Sequence, residues 1–185
     1  MAVMTEASSL VTRLASATDA EALADLAARA FRDTFAADNR PEDIALHVAR
    51  SFGPAQQRAE IGDSAVRTVL VELGARLVAY AQVRKSSAPP CVQGSRPVEL
   101  WRFYIDQPWI GRGVAQRLME TVCSEAQGLG GETLWLGVWE RNPRALAFYS
   151  KCGFVDVGAH VFAVGEDEQT DRIMVRGLGT EAQGP

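Results

Sequence analysis

The chain has 185 residues, of which 47% are hydrophobic and 23% are charged, with a formal net charge of −4 at pH 7. This composition is that of a globular protein and excludes a largely disordered chain, and the length predicts a single domain spanning residues 1–185. The lysines and arginines are scattered and form no basic stripe to neutralise a phosphate backbone, so no nucleic-acid partner is expected.

The spacing of cysteines, histidines and apolar residues excludes further classes of protein. The three cysteines, Cys91, Cys123 and Cys152, and the two histidines, His47 and His160, have no spacing typical of a metal site or a disulfide framework. No stretch stays apolar for the ~18 residues of a membrane helix, and the N-terminus lacks the basic flank and apolar run of a signal peptide. We therefore expect a cytoplasmic protein with reduced thiols, no metal and no membrane span.

The N-terminal part predicts one strand followed by helices. Residues 11–17 are expected to form the strand, and Asp19 is the predicted cap of the first helix. The apolar face of that helix repeats every three to four residues and is expected to be core; it includes Leu23, Leu26, Ala27 and Phe31. Pro41 is predicted to begin a second helical stretch, which residues 56–61 continue.

The middle of the chain predicts a hairpin and then a loop. Residues 68–73 and 77–83 are rich in β-forming side chains, and the short segment between them contains Gly74, which predicts two antiparallel strands. Residues 86–97 hold three prolines, three serines and a glycine. That composition is typical of a loop.

A strand, turn, helix and strand follow in order. Residues 98–106 predict the first strand, residues 108–111 the turn and residues 133–139 the second strand. The buried stripe of the helix between them is marked by Val114, Leu118, Val122 and Ala126. A right-handed crossover of this kind places the start of the helix at the carboxyl end of the first strand.

The remaining residues predict a short helix and a closing hairpin. Asn142 is the predicted N-cap of the helix, and Pro143 is its first residue. Residues 154–164 and 172–175 are expected to form the hairpin. Both ends of the chain are expected to be flexible, namely residues 1–9 and 180–185.

The clearest chemical signal is the segment Asp106-Gln-Pro-Trp-Ile-Gly-Arg-Gly-Val-Ala-Gln116. Its two glycines and its alanine let backbone N–H groups approach an anion at the start of a helix, which is how proteins cradle phosphate. An ordinary helix-start turn is the alternative interpretation. A P-loop is excluded because Val114, rather than lysine, follows Gly113. A dinucleotide-binding fold ranks second, since Gln116 stands where that fold needs a third small residue.

This segment, together with Asn142 and Phe148-Tyr149, resembles the acetyl-CoA site of the GNAT superfamily of N-acetyltransferases, over about residues 68–176. The phosphate loop of that family reads Gln/Arg-x-x-Gly-x-Gly/Ala; Gly113 and Ala115 match it, and Ile110 occupies the Gln/Arg position. The resemblance implies an α/β fold, with a mixed, mostly antiparallel twisted sheet of six or seven strands and about four helices. It also implies acetyl-CoA as cosubstrate.

A narrower resemblance is to the PaiA-type polyamine acetyltransferases. It lies in Trp135-Leu-Gly-Val-Trp-Glu-Arg-Asn142, in Ala145-Leu-Ala-Phe-Tyr149, in residues 158–174 and in Phe31-Arg-Asp-Thr-Phe35. This resemblance implies spermidine or spermine as the acceptor. A protein amine, a drug amine and a non-catalytic acyl-CoA sensor are the alternatives, and a homodimer is the oligomeric state that the family suggests.

The resemblance also implies the catalytic residues. Tyr149 is the expected general acid, because a phenol with a pKa of ~10 stays protonated at neutral pH and can give its proton to the departing thiolate. Glu99 matches the position of a carboxylate that accepts the amine proton in many relatives; an exposed strand glutamate is the alternative. His160, Asp171 and the acidic residues 166–168 are candidates for contact with a cationic acceptor; a solvated hairpin is the alternative and the favoured interpretation of the acids.

The expected cofactor contacts fall into three groups. The backbone of Phe103, Tyr104 and Ile105 is expected to line the pantetheine arm. The pyrophosphate is expected to contact Gly111, Arg112, Gly113, Val114, Ala115 and Gln116. Asn142 is expected to be both a helix cap and a cofactor contact, and Lys151 is either a point charge for a coenzyme phosphate or a solvated lysine.

Overall fold

The computed structural model describes residues 9–164 and 167–179, and in this part of the chain it contains seven strands and five helices. The strands are β1 (Leu10–Leu14), β2 (Val66–Leu73), β3 (Arg76–Arg84), β4 (Pro97–Ile105), β5 (Thr133–Trp139), β6 (Val155–Val164) and β7 (Asp167–Gly177). The helices are α1 (Ala20–Phe35), α2 (Pro41–Ser51), α3 (Pro54–Gly62), α4 (Val114–Gly128) and α5 (Pro143–Lys151).

The strands form one sheet in the order β1-β2-β3-β4-β5-β7-β6. Each neighbouring pair is antiparallel except β4 and β5, which run parallel because α4 crosses over between them. The fold therefore confirms the predicted mixed, mostly antiparallel sheet of six or seven strands.

The described residues contain five helices where about four were expected, because the second helical stretch is divided. Gly53 has an extended backbone with ψ of 152°, and Pro54 begins the next helix. Proline has no N–H to continue a helix and disfavours the helical conformation of the residue before it. Asp19 is the N-cap residue of α1, as predicted, but its side chain makes no capping hydrogen bond to that helix: its carboxylate accepts hydrogen bonds from the backbone and hydroxyl of Ser16 and from Arg13.

Helices pack on both faces of the sheet. Helices α4 and α5 cover one face, where the buried side chains include Val69, Val71, Leu118, Val122, Leu134 and Leu136. Helix α1 covers the other face, where the buried cluster consists of Leu23, Leu26 and Ala27 of the helix together with Phe52, Leu70 and Tyr80. Alternation along the strands divides Val69 and Leu70 between the two clusters, and each fully buried Leu or Val contributes ~2 kcal/mol of hydrophobic stabilisation.

Strands β4 and β5 part from each other halfway along their length. Their pairing covers only Pro97–Glu99 of β4 and Thr133–Trp135 of β5. Next to that point Trp101 is an extra residue in the ladder, because Leu100 pairs with Val83 and Arg102 pairs with Gln82. A bulge of this kind bends its strand and increases its twist. The carboxyl ends of the two central strands therefore open into a cleft.

The remaining sequence predictions concern membranes, metals and the chain ends. No helix within 9–164 and 167–179 is long and apolar enough to cross a bilayer. Over the same ranges, no group of three or more His, Cys, Asp or Glu side chains is placed to hold a metal ion. The ends predicted to be flexible lie outside the described residues, apart from Ser9.

Candidate functional site

A cavity of about 560 Å³ occupies the opening between β4 and β5. Its walls come from α1, β4, the segment that leads into α4, β5 and α5. The site residues predicted from the sequence that line it are Phe103, Tyr104, Ile105, Gly111, Gly113, Ala115, Gln116, Asn142, Tyr149 and Lys151. The structure does not bring Glu99, Arg112 or Val114 to its wall.

The turn before α4 depends on two glycines. Gly111 has φ of +77° and Gly113 has φ of +81°, in the left-handed region that disfavours residues with a Cβ. A Cβ added at either glycine would meet nothing within 4 Å. The glycines are therefore needed for the backbone conformation, and the space in front of the turn is open to a ligand.

Six consecutive backbone N–H groups, those of residues 111–116, have no hydrogen-bond acceptor among the described residues. The first N–H of α4 with an acceptor is that of Arg117, which donates to Gly113 O at 3.4 Å. The start of a helix also carries partial positive charge from the aligned peptide dipoles. This turn is therefore a site for an anionic group such as a phosphate.

Two residues of the turn contribute less than the sequence suggested. The Val114 side chain is 1% exposed and belongs to the core, so only its backbone N–H faces the turn. The Arg112 guanidinium lies 5.3 Å from the Trp109 ring centroid, outside the cavity. A side-chain role for Val114 in cofactor binding is thus excluded by its burial.

Backbone N–H groups on one edge of β4 point toward the cleft. The Asp106 N–H donates to Val78 O of β3 at 2.8 Å. Because donors alternate from edge to edge along an antiparallel strand, the N–H groups of Phe103 and Ile105 point away from β3, toward the side where β5 has diverged. An extended ligand arm can pair with this edge as an added strand would.

Tyr149 lies on α5 in an aromatic cluster at the cavity wall. It is 8% exposed, and its ring centroid is 6.1 Å from that of Phe103, 5.5 Å from that of Phe148 and 5.7 Å from that of Phe154. Burial, with Tyr104 nearby, raises the pKa of Tyr149 well above its ordinary value. Within the described chain no group hydrogen-bonds its hydroxyl. The phenol is therefore protonated at neutral pH and available to a ligand.

Polar groups of α5 form the rim of the cavity. Asn142 Oδ1 accepts a hydrogen bond from the Ala145 N–H at 3.1 Å, which confirms its role as N-cap and leaves its amide nitrogen for another acceptor. Lys151 is exposed at the other end of the helix. Arg144, also exposed, lines the cavity too and was missed, because nothing local distinguishes it from a solvated helical arginine.

Glu99 is committed to other partners and lies before the point where the strands part. Arg84 Nε donates to its carboxylate at 2.6 Å, and Ser86 Oγ donates at 2.8 Å. Its backbone is in the section of β4 that still pairs with β5. The geometry gives no support to Glu99 as the base, and that role stays a prediction.

The cavity continues to the α1 face of the sheet. Trp139 lines it there, with its ring centroid 5.7 Å from that of Phe35. The Tyr104 ring stacks on Tyr80 at 5.6 Å, and burial raises the pKa of Tyr104 to about 12. Only a backbone contact was expected of Tyr104, whereas its side chain forms part of this second half of the cavity.

A buried ionic network supports the bulge. Arg102 donates to Glu60 of α3 at 2.5 Å and to Gln82 of β3 at 2.7 Å. The Arg102 guanidinium also stacks 3.9 Å from the Trp101 ring centroid. These contacts hold β4 in the bent position that opens the cleft.

Comparison with known proteins identifies relatives over most of the chain. A model of the acetyltransferase (GNAT) family matches residues 21–154. The chain is 33% identical over 161 residues to an uncharacterized N-acetyltransferase of Mycobacterium tuberculosis, and the match covers 87% of this chain and 99% of the relative.

Solved structures share the fold. The PaiA N-acetyltransferase of Thermoplasma acidophilum in complex with coenzyme A has a TM-score of 0.73 and 18% identity, over 91% of this chain and 99% of its own. YncA of Salmonella typhimurium, solved with its cofactor acetyl-CoA, has a TM-score of 0.66 and 18% identity, over 96% of this chain and 99% of its own. At these identities the likeness shows the fold alone.

Proposed function

The chain belongs to the acetyltransferase (GNAT) family and is an acetyl-CoA-dependent N-acetyltransferase, and we propose that it transfers acetyl directly to a primary amine, with a polyamine as the leading acceptor. One observation carries the proposal. Phosphate-binding donors, an open strand edge and a protonated tyrosine border the same cavity, at the point where β4 and β5 part.

The cofactor half fits the chemistry of coenzyme A. The free N–H groups of residues 111–116 suit the pyrophosphate of coenzyme A. The exposed cations Arg144 and Lys151 suit the separate phosphate on its ribose. The N–H groups of Phe103 and Ile105 suit the amides of the pantetheine arm. Bound in this way, acetyl-CoA supplies an acetyl thioester to the cleft. Coenzyme A in the Thermoplasma structure and acetyl-CoA in the Salmonella structure support this proposal.

We assign Tyr149 as the proton donor. Acetyl transfer expels a thiolate, which is a better leaving group when a nearby acid protonates it. Tyr149 is protonated at neutral pH, and among the described residues its hydroxyl has no partner that would hold its proton in place. The sharing of one cavity by Tyr149 and the turn at Gly113 supports this role.

The part of the cavity on the α1 face suits a cationic amine as the acceptor. Asp33 lines the cavity, is exposed and forms no salt bridge within the described residues. Arg102, which also lines it, is paired with Glu60 and adds little net positive charge. Trp139 offers an aromatic face, which attracts alkylammonium groups. The resemblance to PaiA-type enzymes leads to the same class of acceptor.

Steady-state release of free thiol from acetyl-CoA tests the proposal. The purified protein is assayed with spermidine, spermine, simple diamines and lysine-bearing peptides. We expect the polyamines to give the highest kcat/KM. Turnover with peptides alone would overturn the polyamine assignment, and acetyl-CoA binding without any turnover would favour a sensor. The homodimer, the cytoplasmic location, the single domain and the lack of a nucleic-acid partner remain predictions.

A further inference from the structure

Asp171 of β7 lies on the face of the sheet that α1 covers. In the strand ladder it stands opposite Trp139 on one side and opposite His160 on the other. Residues directly opposite each other in a ladder share a face, and Trp139 packs against Phe35 of α1. The Asp171 side chain therefore lies on the α1 face, together with the second half of the cavity.

A glycine leaves the Asp171 carboxylate uncovered. Gly137, a diagonal neighbour on β5, lines the cavity. A Cβ at Gly137 would lie 3.1 Å from Asp171 Oδ2. Any larger side chain at this position would stand between the carboxylate and the cavity, whereas glycine leaves the space for a ligand.

The carboxylate is half-buried and lacks a bonded partner. It forms no hydrogen bond and no salt bridge to any residue within 9–164 and 167–179. The titratable groups that interact with it across the sheet are His160 of β6 and Tyr104 of β4. Burial raises the pKa of Asp171 to about 6, although His160 acts in the opposite direction. A structural carboxylate at such a position would normally be paired.

Tyr104 lies between Asp171 and Tyr149. Its charged form would be disfavoured by the Asp171 carboxylate, and it in turn raises the pKa of Tyr149. Tyr104 lies on β4, at the opening between the two central strands. The phenol lines this opening, and the Asp171 carboxylate stands next to it behind Gly137, so a base and an acid lie near one cavity.

We propose that Asp171, rather than Glu99, is the base that takes the proton from the acceptor amine. The proposal rests on the proposed function, because it assigns a role at that same site. Glu99 is paired with Arg84 in the section of β4 that still pairs with β5, whereas Asp171 is unpaired and its carboxylate adjoins Gly137 of the cavity wall.

Each proton in this scheme has a source and a destination. The acceptor enters as an ammonium ion and gives one proton to the Asp171 carboxylate. The neutral nitrogen then forms a bond to the acetyl carbonyl carbon, and the bond from that carbon to sulfur breaks. The thiolate takes the proton of Tyr149, and the nitrogen gives its second proton to solvent as the amide forms. Asp171 then releases its proton to solvent and Tyr149 takes one back from solvent, so two protons leave, one returns, and one is released per turnover.

The pH dependence of Asp171→Asn tests the role, with Asp156→Asn as a matched control. Asp156 is on the neighbouring strand β6 and pairs with Arg172 at the surface. The wild type and both variants are assayed from pH 5 to 9 with the best polyamine and with a weakly basic primary amine that is neutral throughout. General bases contribute about 100-fold or more, so Asp171→Asn should lower kcat on the polyamine by about that factor.

A structural role would not give the same pattern. The weakly basic amine enters already neutral and needs no base to become so, so Asp171→Asn should lower the rate on this amine less than tenfold. With the polyamine, the rise of kcat/KM near pH 6 should be lost in Asp171→Asn and kept in Asp156→Asn. Equal losses on both amines, or a rise near pH 6 that survives, would overturn the proposal. Wild-type rates alone test the proposed function, whereas the ratio of variant to wild type tests Asp171.

A measurement without turnover provides a second test. Carbon-13 NMR of the side-chain carboxyls gives the titration of Asp171 in the free protein. We expect a midpoint near 6 that shifts when spermidine is added, because a cation bound beside the carboxylate stabilises its ionised form. A midpoint near 4 that spermidine does not move would contradict the proposal.

Discussion

The Arg102 guanidinium donates a hydrogen bond of 2.5 Å to the Glu60 carboxylate, with both side chains less than a tenth exposed. This pair connects α3 to β4 beside the extra residue Trp101, where the central strands begin to part. The opening that forms the active-site cavity thus depends on a buried ion pair as well as on the phosphate-binding turn.

Glu60→Ala should be strongly destabilising. It leaves the Arg102 charge buried and unpaired, and breaking a pair of this kind costs about 3–5 kcal/mol. Urea unfolding measures the loss. Asp43→Asn is the control, since its partner Arg40 is 68% exposed and solvent-exposed ion pairs contribute little to stability. Similar small losses for both variants would show that the network does not hold the bulge.

Gly113→Ala should weaken acetyl-CoA binding. A Cβ at φ of +81° strains the backbone by about 1–2 kcal/mol, and relief of that strain would turn the N–H donors away from the ligand. The KM for acetyl-CoA should rise about tenfold, which is the kinetic equivalent of ~1.4 kcal/mol. Gly128→Ala, in the last turn of the same helix, should leave KM unchanged and should not destabilise the protein.

Tyr149→Phe should lower kcat by about 100-fold or more with little change in the KM for acetyl-CoA, because it removes the proton donor and keeps the ring. Tyr80→Phe is the control. Tyr80 is fully buried, and among the described residues its hydroxyl has no hydrogen-bond partner. Removing that hydroxyl should therefore leave kcat unchanged and should not lower the free energy of unfolding. Unchanged turnover in Tyr149→Phe would refute its assignment as the acid.

Glu99→Gln should leave the pH dependence of kcat/KM unchanged. The Glu99 carboxylate is bonded to Arg84 and Ser86 away from the cavity. Only the part-buried ion pair is lost, which should reduce the free energy of unfolding by about 1 kcal/mol. A displaced pH profile would restore Glu99 as the base.

Asp171→Asn should stabilise the protein at neutral pH. The folded-state pKa of Asp171 is raised to about 6 from 3.8, so folding favours its protonated form. The stability that this preference adds is present below pH 4 and is lost as the pH rises through 6. Allowing for solvent screening at this part-exposed group, the variant should gain about 1 kcal/mol over the wild type at pH 8. Thermal unfolding at pH 4 and pH 8 measures the difference, and a gain that does not grow with pH would contradict the raised pKa.

The parts of the fold set by local patterns were predictable. The turn at Gly111 and Gly113, the cap at Asn142 and the crossover through α4 each depend on neighbouring residues. The short spacing between β2 and β3 likewise restricted those strands to a hairpin. The family resemblance then supplied the expected sheet and its opening.

The parts set by distant pairing were not predictable. The bulge at Trp101 depends on the register of β4 against β3, which the sequence of β4 does not contain. Asp171 follows an acidic segment, and the sequence left open whether it contacts the acceptor or is solvated; its pairing with Trp139 places it on the α1 face. The direction of Glu99 depends in the same way on its contact with Arg84.

The central claim is acetyl transfer from acetyl-CoA to a polyamine, and mass spectrometry of the products tests it most directly. The protein is incubated with acetyl-CoA and spermidine, and the amine, the coenzyme and the protein are each analysed. The account predicts spermidine carrying one added acetyl group, in equal amount to the free coenzyme A released, with no acetyl group on the protein. Unmodified spermidine, or an acetyl group that remains covalently attached to the protein, would contradict it.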